Sequence, residues 1–163
     1  MPKRQTAKRL FITEILNTHE QVEKDGTKFA ITPLGDEVNR VFLVATILEC
    51  RDNGETIRLR LADPTGGMSV WISNKTPELQ QKAAELAEEF SLVAISGKLR
   101  VVNETFTTVR VEKIGKADET TRRLWVRDAV RRVKKLLNNA KDENFAKRME
   151  EHVREIEMAE QTA

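Results

Sequence analysis

The chain has 163 residues, 39% of them hydrophobic, and its 28 Lys and Arg against 26 Asp and Glu leave a formal net charge of +2. That length suffices for one domain with appendages, around a core that needs no covalent staple. A lone cysteine (Cys50) and two histidines (His19, His152) exclude an internal disulfide and an ordinary four-ligand zinc site, and no apolar run approaches the roughly 20 residues of a membrane-spanning helix.

The opening segment MPKRQTAKR is basic, but no apolar stretch of the secretory type succeeds it. The expectation is a soluble cytoplasmic protein, nucleoid-associated if it binds DNA, with no cofactor and no membrane contact. The small net charge conceals blocks. Residues 1–9 hold four basic side chains (Lys3, Arg4, Lys8, Arg9) and no acid, and residues 122–140 hold seven basic side chains and one acid. Such blocks suit either a polyanionic partner or a solvated face.

Residues 10–38 are the least patterned. RLFITEIL fits a strand or a helix, and Gly26, Pro33 and Gly35 mark a loop-rich approach to the first long strand. Residues 1–38 read as an N-terminal extension packing on the domain at 39–115. That domain opens with NRVFLVATILECRD (39–52), a β-branched, apolar strand ending at the hairpin signal Asn53-Gly54. ETIRLRLA (55–62) alternates strictly. In the turn DPTGG (63–67) Pro64 presets φ, and Gly66 and Gly67 allow φ > 0. GMSVWIS (67–73) alternates again. PELQQKAAELAEEF (77–90) reads as an amphipathic helix with Pro77 at its first position. Two more strands, FSLVAISGKLRVV (90–102) and ETFTTVRVEKI (104–114), turn through Asn103-Glu104. Three strands, a helix and two strands predict a mainly β fold, the five-stranded OB-fold barrel with a helix between strands 3 and 4, plus C-terminal α-helices.

Residues 118–161 read as a helical region for assembly. The segment 118–139 is helical, with Asp118 or Thr120 as its cap. It carries an apolar stripe at Val126, Val130, Val133 and Leu137, beside the basic residues Arg122, Arg123, Arg127, Arg131, Arg132, Lys134 and Lys135. Helix 142–161 continues with Phe145, Met149, Val153 and Ile156. Spacing by alternating threes and fours makes the first stripe a coiled-coil-like seam. It reads as partner-binding, the alternative being that it folds back on the chain's own barrel or second helix.

Strand parity then assigns faces. With Ile57, Leu59, Leu61, Met68, Val70, Ile72, Val93, Ile95, Leu99, Val101, Val109 and Val111 inside, the outer surface carries Arg58, Arg60, Lys98, Arg100 and Arg110 interspersed with Trp71 and Phe106. Aromatic rings among cations suit single-stranded nucleic acid, whose bases stack while its phosphates are neutralised. The competing reading is that Leu10, Phe11, Ile12, Ile15 and Phe29 cover this face and make Trp71 core. No glycine-rich phosphate loop, nucleophile elbow or histidine-containing metal motif is present, and no enzyme is expected.

Taken together, ITPLGDEVNRVFLVATILE, RLRLADPTGGMSVWI, FSLVAISGKLRVVNETFTTVRVEKI and DETTRRLWV, spanning 31–126 with weaker support from 3–16, resemble the archaeal replication protein A-associated proteins, which are similar to the middle subunit of replication protein A. The resemblance implies an OB-fold subunit of a hetero-oligomeric single-stranded-DNA-binding complex for replication, recombination and repair. It also implies stacking by a third-strand tryptophan, here Trp71, and by an aromatic near the last hairpin. Phe106 fits that second position from the far side of the turn, and Val102 precedes the turn. C-terminal helices would associate with another subunit. Two other readings stand beside this one: a purely structural subunit whose partner holds the DNA, and an RNA-binding OB module.

Overall fold

The computed structural model describes residues 6–89 and 91–162. Lys3 and Arg4 of the N-terminal basic block, and Phe90 at the start of the fourth predicted strand, lie outside the described residues.

A five-stranded antiparallel sheet, curled into a barrel, holds β4 (Arg40–Asp52), β5 (Thr56–Asp63), β6 (Gly66–Ser73), β7 (Leu92–Asn103) and β8 (Phe106–Lys116) in the order β6-β5-β4-β7-β8. The long β4 pairs with β7 over its first half and with β5 over its second. The edge strands β6 and β8 then meet, with the Thr108 hydroxyl donating to the Ser69 carbonyl at 3.4 Å. Helix α2 (Pro77–Glu89) connects β6 to β7, with Ala83 and Leu86 buried. The alternation read from sequence holds: every predicted inward residue is buried except Val101, which is half-buried where the hairpin leaves the barrel. The turn chemistry at 63–67 differs. Gly66 and Gly67 are the first residues of β6 and lack positive φ, and the turn is held by Asp63, whose Oδ1 accepts from the Thr65 amide and hydroxyl, both at 2.7 Å. At Gly97 a register shift bends β7, and a Cβ would lie 2.1 Å from the Arg110 carbonyl oxygen, so only glycine fits.

Residues before the barrel are more ordered than their sequence suggests. A short helix α1 (Ile12–Leu16) leads into a three-stranded antiparallel sheet of β1 (Glu20–Lys24), β2 (Thr27–Ile31) and β3 (Glu37–Val38). Asp25 and Gly26, both at positive φ (52° and 78°), make the β1–β2 turn. The side chains of Leu10, Phe11, Ile12 and Ile15 are buried in one core with the barrel residues. The amide of Ile12 donates to Asp63 Oδ2 at 2.7 Å and that of Thr13 to the Thr65 hydroxyl at 3.1 Å, so the DPTG turn grips the start of α1. At the other end Thr107 donates its hydroxyl to the Thr18 carbonyl.

Helix α3 (Glu119–Leu136) is capped by Asp118, which accepts from the Thr121 amide at 2.7 Å, and a 3-10 turn at Leu137–Asn139 separates it from α4 (Glu143–Thr162). The partner seam expected at Val126, Val130, Val133 and Leu137 is corrected by this arrangement. The first three are buried within the single chain and Leu137 is half-buried, in the same core as Phe145, Met149, Val153 and Ile156 of α4. The matching apolar stripe of α4 lies only a short turn away, and burying both stripes together satisfies the hydrophobic requirement that a partner would otherwise meet. Arg132 is corrected too. Instead of sitting on a solvated basic face, it donates to Glu14 Oε1 at 2.6 Å and to both carboxylate oxygens of Asp36 at 2.7 and 3.0 Å.

Candidate nucleic-acid interface

The strand registers set the outer surface. Arg58 lies across from Trp71 and Arg60 from Ser69 on β5–β6, while Lys98 faces Arg110 and Arg100 faces Thr108 on β7–β8. Where β6 meets β8 the two halves join. The Trp71 and Phe106 rings stand edge to face, centroids 5.7 Å apart, and Thr108 reaches Ser69. One row therefore runs Arg58–Trp71–Phe106, and the next runs Arg60–Ser69–Thr108–Arg100. Lys98 and Arg110 sit further along, in a cleft of about 610 Å³ shared with Lys75 just before α2.

Trp71 is 44% exposed and Phe106 39% exposed. Leu10, Phe11, Ile12 and Ile15 are buried in the core and leave Trp71 exposed, so the covered-tryptophan reading does not describe the structure. A large ring left in water beside cations offers a stacking platform, and the edge-to-face contact holds the two rings in fixed relation. Val102, 58% exposed, adds an apolar side chain at the hairpin, though not a stacking one.

Charge around the rings is unevenly balanced. Glu49 accepts from Arg51 and lies 3.5 Å from Arg58, and its register partner is Arg60. The Arg51 hydrogen bond, with the fields of Arg58 and Arg60, holds the Glu49 carboxyl below the usual carboxylate range. Arg51 and Arg58 thus share one carboxylate, with Arg60 adding only its field. Arg60, Lys98, Arg100 and Arg110 make no ion pair among the described residues. Arg51 was not among the residues expected at this site. Its signal was the Asn53-Gly54 hairpin, which brings position 51 opposite 58.

A five-stranded barrel with a helix between its third and fourth strands, and helices appended at its C-terminal end, is an OB fold. No protein-family model matches the chain, and no curated protein does. Among solved structures it is similar to a chain of a replication protein A heterotrimer bound to single-stranded DNA, at 19% identity and a TM-score of 0.59, over 81% of this chain and 98% of that one. It is also similar to a chain of the S. pombe Stn1–Ten1 complex, at 12% identity and a TM-score of 0.61, over 91% of this chain and 99% of that one. At these identities the likeness shows the fold.

Proposed function

We propose that this protein is a subunit of a replication protein A-like complex that binds single-stranded DNA on the outer face of β5, β6, β7 and β8, with Trp71 and Phe106 stacking on bases and Arg58, Arg60, Lys98, Arg100 and Arg110 neutralising phosphates. The observation that carries the reading is the exposed Trp71–Phe106 pair set among those cations. The likeness to a chain of a DNA-bound heterotrimer supports it. Association with another subunit belongs to the same proposal. The C-terminal helices remain its place, but through their outward faces, because the α3 stripe is occupied inside the chain.

The test is a titration with dT oligomers at low salt, monitored by tryptophan fluorescence. Of the two tryptophans Trp125 is buried, so a ligand-induced change reports on Trp71. Trp71→Ala removes that signal, and competition against labelled dT shows an affinity lower by about 5- to 150-fold, the equivalent of one stacked base at about 1–3 kcal/mol. Unchanged affinity in that variant would refute the stacking role.

A second expectation concerns charge. Replacing Arg58 and Arg60 together by alanine weakens binding to every sequence alike, since phosphate contacts carry no sequence information. It also flattens the plot of log affinity against log salt by about 0.7–1.4, one or two contacts at about 0.7 each. A slope equal to that of the parent would place the phosphates elsewhere on the molecule.

A further inference from the structure

We infer that the single strand continues beyond the barrel, past the β5–β6 turn, onto a second phosphate-binding track formed by Arg123 and Arg127 at the start of α3. The inference rests on the function proposed above and extends its site to a part of the chain outside the OB barrel.

The outward residues of β5 run Arg58, Arg60, Ala62 and then the exposed Pro64 of the turn. From Arg60 to Pro64 is roughly 13 Å at about 3.3 Å per residue, a distance a strand covers in a few nucleotides. Pro64 itself lines a cleft of about 340 Å³ whose other wall is the beginning of α3, with Arg122, Arg123 and Arg127, and whose floor includes Val126 and Ile156. A strand leaving the aromatic pair in this direction therefore meets arginines again as soon as it clears the turn.

The electrostatics fit a phosphodiester. Glu119 lies 3.2 Å from Arg122 and 4.0 Å from Arg123, and Glu160 also lines the cleft, while Arg127 makes no ion pair among the described residues. Exposed pairs of this kind are weak, so phosphate can take the place of Glu119 at little cost. Arg123 and Arg127 are one helical turn apart, a step of about 6 Å, comparable to the separation of successive phosphates on an extended strand. An acidic helix would instead look for an apolar seam along this face. Here Val126 and Ile156 are already buried, and apart from Ala159 and Pro64 the other residues lining the cleft are charged.

The experiment compares the whole protein with two charge-reversal variants, Arg123→Glu with Arg127→Glu and, on the same helix away from the cleft, Arg131→Glu with Lys135→Glu. Each is titrated with dT oligomers from about 4 to about 20 nucleotides. In the parent, affinity climbs with length until the strand spans both tracks. The first variant binds the shortest oligomers as the parent does, and loses about tenfold on the longest. Its salt slope there falls by about 1.4, two contacts at about 0.7 each. The second variant behaves like the parent at all lengths. An equal loss from both variants, a loss independent of length, or no loss overturns the track. Arg123→Gln with Arg127→Gln, checked for a parental thermal melt, repeats the result with less perturbation, and its failure to lose long-oligomer affinity also overturns it. Failure of the parent to bind dT of any length sinks the functional reading and this inference together, whereas short-oligomer binding with no gain from length sinks this inference alone.

Discussion

Arg132→Met lowers the stability of the fold by about 3–5 kcal/mol, because it leaves a buried carboxylate without its counter-charge. Glu14 is fully buried, and with Arg132 gone its Oε1 loses the partner at 2.6 Å, while Oε2 keeps only the Phe11 amide at 2.8 Å. Asp36 is less affected, since Lys8 at 3.3 Å and Thr32 still serve it. Urea denaturation of the parent, Arg132→Met, and Arg132→Met combined with either Glu14→Gln or Asp36→Asn gives the ranking. Glu14→Gln restores more than Asp36→Asn, and the reverse order would mean that Glu14 is not the costly group.

The same variant has a defined response to pH. Burial already pushes the Glu14 carboxyl above its ordinary value of 4.5, against the opposing pull of Arg132, while Asp36, though burial works against it, is held below its ordinary 3.8 by Arg132, Thr32 and Lys8. Removing the guanidinium raises both. A carboxyl with a raised folded-state pKa favours the fold most at low pH and progressively less as pH climbs through that value. The deficit of Arg132→Met relative to the parent is therefore largest at neutral pH and narrows on acidification towards 4.5. A deficit constant across that range would show that lost packing, not stranded charge, is the cause.

Trp125→Ala costs about 3–5 kcal/mol, the ordinary penalty for emptying an aromatic core site. Its ring is 2% exposed and stands edge-on to Phe11 at 5.4 Å, and its indole N–H donates to the Phe42 carbonyl at 2.6 Å. One side chain thus joins α3, the N-terminal segment and barrel strand β4. Trp125→Phe retains most of the volume but orphans that carbonyl, so it is the milder change, at about 1–3 kcal/mol. Both variants should unfold in a single transition at lower urea, monitored by circular dichroism. Separate loss of helix with the sheet intact would mean that α3 is an independent appendage.

The barrel was readable because its strands are buried on one face only, so that Ile57, Leu59 and Leu61 alternate with Arg58 and Arg60 in plain sight. The outer face came from the same parity. The small sheet at 20–38 was not read, because β1 exposes four of its five residues and shows no apolar alternation. Its one strong signal was Asp25-Gly26, a hairpin dipeptide between EQVEK and TKFAI. Arg132 was hidden in a run of seven basic residues, although it falls three residues after Ala129 and seven after Trp125, on the face those two bury. The destination of the α3 stripe was undecidable from spacing, since a seam looks alike whether its filler belongs to the same chain or another. The roles of the surface residues are a matter for the titrations.

The carboxylate of Glu14 and the guanidinium of Arg132 are 118 positions apart along the chain. A ribosome exposes the acid long before its counter-ion. During synthesis α1 can already settle against Asp63 and the barrel can close, yet Glu14 must then either stay hydrated, holding α1 ajar, or enter the core protonated. The nascent barrel is accordingly a provisional structure with its lid unlatched, and emergence of α3 is the event that locks it. Locking of this fold thereby waits for α3, and a ribosome stalled before residue 132 should carry a protease-sensitive segment around Glu14 on an otherwise formed barrel.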